Sequence, residues 1–244
     1  MRPLLAEELL SVWERGMGQS PARRALLLLG TACPDSPIDL LASLSIGQRD
    51  ALLLTLREWT FGSDLLCRAQ CLHCGEQLEL NLSATELRVP SDANADGNLL
   101  LNFHGYEIAF RTPNSHDLNL LASCRDVPSG RQLLLQRCLH SIKENGETRT
   151  IEQLPTELLD TMVEQMEQRD PQANIELMLS CPVCKQDWRK LFDIESFFWK
   201  EIGAWVGRIL NEIHTLASNY GWSELDLLRM TTWRRQAYLN LINQ

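Results

Sequence analysis

The sequence predicts an α+β fold, mainly helical, on three observations. Apolar residues recur at helical spacing through both ends of the chain, a short central stretch alternates polar and apolar residues with the period of a strand, and two Cys-x-x-Cys pairs punctuate the middle. The pairs are Cys71-Leu72-His73-Cys74-Gly75 and Cys181-Pro182-Val183-Cys184-Lys185. Each has the form of a zinc knuckle, a tight turn that aims two thiolates at one metal ion, and two such turns supply the four sulfurs a structural Zn²⁺ prefers. The expected β centre is therefore zinc-ribbon-like, with Cys71, Cys74, Cys181 and Cys184 holding one Zn²⁺ between them. A closed four-thiolate shell leaves no position for water or substrate, so the site is expected to hold a shape rather than run a reaction.

The first segment, residues 1–66, reads as helical. Leu4, Leu5, Leu9, Leu10 and Trp13 recur at helical spacing, Pro34-Asp35-Ser36-Pro37 makes a turn, and Ser45 precedes a second helical run from Ile46 to Trp59. Residues 67–192 read as a zinc-ribbon-like α+β region with a large insertion, 75–180, between its knuckles. Leu78, Leu80 and Leu82 alternate with Gln77, Glu79 and Asn81 as in a half-buried strand. After a polar loop at 91–98, Leu99 to Arg111 reads as a hairpin turning near His104-Gly105 and ended by Pro113. Helical spacing then returns over Asp117 to Ser123, Gly130 to Ile142 and Leu154 to Gln168, separated by Pro128-Ser129-Gly130 and Asn145-Gly146. Asn174 to Leu179 leads as a strand into the second knuckle and Asp187 to Phe192 leads out of it.

Residues 193–244 read as a helical C-terminal unit. Asp193 caps a helix with Glu195 in its first turn, where a negative charge complements the helix dipole. That helix runs from Ile194 to Asn219, roughly 40 Å at the usual rise. Tyr220-Gly221-Trp222 breaks it. Ser223 and Asp226 have the spacing of a capping box for a short helix, Glu224 to Met230. Thr231-Thr232 starts a last helix carrying Trp233, Arg234, Arg235, Tyr238 and Leu239.

Composition narrows the function. At 244 residues and 44% apolar the chain buries a substantial core, and its formal charge of −9 disfavours binding to a phosphate backbone. A zinc-ribbon nucleic-acid-binding or regulatory module is the rival reading; it needs basic residues around the knuckles, whereas Glu76 and Glu79 follow the first. The spacing of Cys181 and Cys184 also suits a thiol-disulfide oxidoreductase. Against this, the pair leads into a strand-like stretch and no proline follows Pro182, so similar redox folds' downstream cis-proline has no counterpart. Asp92 and Asp96 lie in a polar loop without the apolar setting that raises a pKa. No phosphate-cradling loop, metalloprotease helix or glycine-flanked serine appears, and the chain is expected not to be an enzyme. The N-terminal residues lack the layout of a secretion signal, and the longest apolar run, Ala25 to Leu29, is too short for a membrane span. Eight cysteines are then expected as reduced thiols in the cytoplasm.

The remaining chemistry-bearing residues read as packing groups. Cys67, a rival to Cys71 as ligand, is expected to be a helix-end thiol. Cys33, Cys124 and Cys138 lie in apolar helical contexts, and His214 has no second ligand at metal spacing. His73 is expected to cover its turn rather than ligate. Trp199 is open between core and partner contact, because the long helix carries aromatic residues on more than one side.

The order Cys71-x-x-Cys74, Arg111-Thr112-Pro113 with Asp117-Leu118, Asp170-Pro171, Cys181-Pro182-x-Cys184, Phe192-Asp193-Ile194 with Phe198-Trp199, His214-x-Leu216-Ala217, Tyr220-Gly221-Trp222-x-Glu224 and Arg234-Arg235-x-x-Tyr238-Leu239 resembles a family of phage baseplate proteins. That family is similar to the baseplate hub assembly chaperones of contractile-tailed phages and has relatives in phage-tail-like contractile injection systems. The resemblance covers about residues 45–244. It implies a structural or assembly role, with baseplate or hub proteins as partners and a place in the cytoplasm during assembly or in the finished tail. The C-terminal helices are the expected partner surface, with Trp233 and Tyr238 as apolar anchors and Arg234 and Arg235 pairing with carboxylates.

Overall fold

The structure is a computed structural model describing residues 1–90, 98–121 and 124–242. The polar loop read at 91–98, with Asp92 and Asp96, falls outside the described residues except for Asn98, as does Ser123.

The main core is helical and joins both ends of the chain. It packs α1 (Ala6–Gly16), α2 (Pro21–Ala32), α3 (Ile38–Ser43) and α4 (Ile46–Phe61) around the long α8 (Ile194–Tyr220). Local chemistry sets the helix ends. The Ser20 hydroxyl accepts the Arg23 N–H ahead of Pro21, and Ser45 and Gln48 form a capping box at α4. Asp193 accepts the Ser196 N–H at the start of α8, and Gly221 closes it in the left-handed conformation with φ 69°. The buried face of α8 is Ile194, Phe198, Ile202, Val206, Ile209, Ile213 and Leu216, a stripe at three- and four-residue spacing that meets Leu28, Leu29, Leu53, Leu54 and Leu56. Two short helices, α9 (Glu224–Arg229) and α10 (Thr232–Ile242), fold back onto it. Trp199 is half-buried and lies over Gly16 and the Arg24 guanidinium, 4.9 Å from its ring centroid.

Directly after α4, β1 (Asp64–Gln70) and β2 (Gln77–Ser83) form an antiparallel hairpin with the first knuckle as its turn. A second hairpin, β7 (Glu176–Ser180) and β8 (Asp187–Leu191), carries the second knuckle and leads into α8. Between the hairpins lies an inserted unit with its own core. There β3 (Leu99–Phe103), β4 (Tyr106–Phe110), β5 (Leu139–Glu144) and β6 (Glu147–Thr148) pair in sequence order. Helices α5 (Ser115–Leu121), α6 (Val127–Cys138) and α7 (Thr156–Arg169) lie in this stretch; α6 and α7 share the core of the sheet, and α5 contacts α6 and the helices α2 and α3. Phe110, Ile108, Cys138, Leu158 and Met162 fill that core. The turns match the sequence reading: His104-Gly105 and Asn145-Gly146 each hold two successive positive φ angles, as two-residue hairpin turns require.

Three local expectations change. The helix expected over Gly130 to Ile142 stops at Cys138, and Leu139 onward is strand. Leu139 and Ile142 fit helical spacing, but pairing with the edge of β4 in a shared core outweighs that local preference. Cys67 is not a helix-end thiol; it lies within β1 with its side chain in the main core. His214 points to solvent instead of packing.

Candidate metal centre and partner surface

The two knuckles are built alike. In the first, the Cys71 N–H donates to the Glu76 carbonyl at 2.8 Å and the Gly75 N–H to the Cys71 carbonyl at 3.0 Å. In the second, the Cys181 N–H donates to the Gln186 carbonyl and the Lys185 N–H to the Cys181 carbonyl, both at 3.0 Å. Both turns need a left-handed residue after the second cysteine; Gly75 supplies it freely (φ 78°), whereas Lys185 adopts it (φ 58°) at a cost of about 1–2 kcal/mol.

A small apolar core presses the two hairpins together. Ala69 and Leu78 of the first meet Leu179 and Trp188 of the second, beside the buried Cys71 and Cys181. This brings all four sulfurs within 4.8 Å of one another across the 107 residues from Cys74 to Cys181. Cys71 lies 3.6 Å from Cys184, and Cys74 lies 3.6 Å from Cys181. A disulfide needs about 2.05 Å, while a tetrahedral ion with sulfur bonds of about 2.3 Å spaces its sulfurs by about 3.8 Å. All eight cysteines are free thiols, and these four form a cluster whose donor set and spacing fit a metal ion.

The thiols have unequal affinities for protons. Desolvation opposes the Cys71 thiolate, but the N–H groups of Cys74 and His73 and the Cys184 thiol outweigh it and draw Cys71 down to about 6. Cys74 receives the Glu76 N–H, yet desolvation and the three neighbouring sulfurs push it up to about 12. A second thiolate beside the first is repelled, and a divalent cation removes that repulsion. His73 is exposed and stands outside the cluster.

Ion pairs and buried hydrogen bonds that sequence reasoning missed hold the surrounding framework. The buried Arg57 of α4 donates to Glu201 of α8 at 2.6 and 2.7 Å and to the carbonyls of Gly62 and Asp64 where β1 begins. Asp170 accepts the Ser45 hydroxyl and the Gly47 N–H, both at 2.9 Å, so the inserted unit caps the N-terminus of α4. A Cβ at residue 47 would overlap the Asp170 carboxylate. Asp117, fully buried, takes Arg111 at 2.6 and 3.0 Å and Arg137 at 3.2 Å. Burial opposes its charge, but these arginines and the Asn114 N–H hold its carboxyl below the usual range. Asp117 and Asp170 stand in the motif order quoted above, which marked them without naming their distant partners.

The proposed partner residues at the C-terminus do not share one environment. Trp233 is 79% exposed, and Arg234 is exposed with its guanidinium 5.8 Å from the Tyr238 ring centroid. Tyr238 itself is half-buried in a triad with Tyr220 and Trp222, at centroid distances of 5.7 and 4.8 Å. Arg235 departs from expectation: it is 3% exposed, pairs with Glu212 at 3.0 Å and donates to the carbonyls of Met230 and Leu227. Its donors are consumed in tying α10 to α8 and α9, so it does not form an exposed pair with Arg234. The buried lining of the α8–α10 corner offers no sequence signal that separates two adjacent arginines.

The fold and the site define a mainly helical protein with an inserted α+β unit, its two flanking hairpins drawn together at a four-cysteine cluster. The chain belongs to the family described as T4 bacteriophage base plate protein, whose model matches residues 22–199. The match begins earlier than the resemblance read from the motifs, taking in α2, and ends within α8. No curated protein and no solved structure matches the chain. No helix among the described residues is long and apolar enough to cross a membrane.

Proposed function

We propose that the protein is a non-enzymatic baseplate subunit or baseplate assembly factor of a contractile phage tail or contractile injection system, stabilised by a structural Zn²⁺ on Cys71, Cys74, Cys181 and Cys184. The observation that carries the reading is the four-sulfur cluster formed between two hairpins distant in sequence. Four thiolates complete a tetrahedral shell, so the ion's contribution is to the fold. Family membership supplies the baseplate context. The partners are baseplate or hub proteins, met through the C-terminal corner with Trp233 as its apolar anchor, Arg234 as its orienting charge and Tyr238 as the ring beneath Arg234. Arg235 serves that surface only by holding α10 in place.

Purification of sheathed particles and of their assembly intermediates tests the role. A subunit is present in finished particles; an assembly factor is present only in intermediates; absence from both refutes the proposal. Arg234→Glu is expected to reduce the yield of functional particles while the isolated protein keeps its fold and metal. Normal yield makes this arginine a solvated residue. In an insulin-reduction assay the metal-loaded protein is expected to show no turnover, and activity lost on Cys181→Ser would revive thiol-disulfide chemistry.

A further inference from the structure

A cleft of about 590 Å³ opens between the two hairpins and α8. Four consecutive residues of β1, Leu66 to Ala69, and Lys190 and Leu191 of β8 line it. Consecutive strand residues point to opposite faces, so a cleft lined by an unbroken run lies along a strand's edge. Among the described residues β1 pairs only with β2, and β8 only with β7. The Ser63 carbonyl accepts from Ala84 and the Cys71 N–H donates to Glu76, which places the odd-numbered residues of β1 in the hydrogen-bonded positions of the ladder. The N–H and C=O groups of Leu66 and Arg68 therefore point away from β2, along the free edge.

The chemistry around that edge suits a particular occupant. Leu66 and Leu191 are 63% and 61% exposed at its mouth, and Phe197 and Ala204 of α8 line its wall. The lining carboxylates are already engaged: Asp193 caps α8 and Glu201 pairs with Arg57. Arg68 is paired with Glu79. Lys190 and Lys200 form no ion pair among the described residues, which leaves two free cations in a chain of charge −9.

We propose that this cleft receives an extended segment of a partner protein, which adds as a strand to the free edge of β1. Apolar side chains at alternate positions fill the cleft, and a carboxylate faces Lys190 and Lys200. Beta-strand addition satisfies backbone groups that natural sheets otherwise cover or guard. The inference rests on the reading of the chain as a partner-binding baseplate component and assigns it a second docking surface of defined chemistry.

The test uses the full chain, loaded with metal and checked for zinc content in the same sample. The probe is an acetylated octapeptide alternating valine with threonine and carrying one glutamate. Amide hydrogen exchange is expected to be fast at Leu66 and Arg68 in the free protein and slowed by the peptide. Lys190→Glu with Lys200→Glu is expected to weaken binding about tenfold without changing the melting temperature. A peptide N-methylated on its bonding edge is expected not to bind. No protection at millimolar peptide, or equal binding of the N-methylated peptide, overturns the proposal. Protection already present in the free protein also overturns it, and its dependence on protein concentration would identify a second copy as the occupant. The assay contains no tail proteins, so its failure leaves the baseplate reading intact, and failed particle assembly by Arg234→Glu says nothing about this cleft.

Discussion

Replacing Cys181 by serine tests the cross-link between the hairpins. The substitution leaves three thiolates and a hydroxyl that is a far weaker ligand for zinc, so the metal is expected to leave or bind loosely. The magnitude follows from the chain closed by the link. From Cys74 to Cys181 the separation is 107 residues, and a covalent link closing a loop of about 100 residues is worth about 4.7 kcal/mol in the chain-entropy account. The apolar contact of Ala69 and Leu78 with Leu179 and Trp188 persists without the metal and keeps part of the interface. The expected loss is therefore about 3–5 kcal/mol, which for a chain of this size lowers the melting temperature by about 6–20 °C. Circular dichroism melts of both proteins, with zinc measured by elemental analysis, read the two effects together. One zinc per chain in the parent, lost in the variant with a melting point unchanged within about 2 °C, would refute the cross-link as a source of stability. A parent with no metal under reducing conditions without chelator would refute the site itself.

Three further outcomes are expected. Arg57→Met leaves Glu201 and the carbonyls of Gly62 and Asp64 without their donor, and a denaturant titration should show a loss of about 3–5 kcal/mol that adding Glu201→Gln partly restores. Burial pushes Glu195 up to about 7, with the nearby Asp193 charge adding to the effect. Because the folded state holds that proton more tightly than the unfolded chain, stability falls as pH rises from about 4.5 to 7, and Glu195→Gln should flatten this part of a melting-temperature profile. Arg235→Ala removes the donor to Glu212 and to the end of α9 and should destabilise the isolated protein by about 2–4 kcal/mol in thermal melts, whereas Arg234→Ala should stay within about 0.5 kcal/mol.

Much of the local structure was legible because its causes are local. The knuckles follow from Cys-x-x-Cys spacing, the α8 boundaries from Asp193 and Gly221, and the two tight turns from His104-Gly105 and Asn145-Gly146. Where a distant segment determines conformation, the reading fails. Leu139 to Ile142 has helical spacing and becomes strand because the edge of β4 is there to receive it. Arg234 and Arg235 are adjacent and chemically identical in sequence, yet one faces solvent and the other Glu212.

By itself the sequence determined the inventory: two thiol pairs, a long amphipathic helix with a cap at each end, an aromatic and arginine-bearing terminus, and an overall negative charge. Tertiary structure alone decided which groups meet. It brought sulfurs 107 residues apart to 3.6 Å, set Asp170 at the N-terminus of α4, and, among the described residues, left the edge of β1 open beside two lysines with no ion pair. The physical reason is that capping, turn formation and amphipathic spacing depend on residues a few positions apart, whereas burial and charge pairing depend on every segment that packs against a residue.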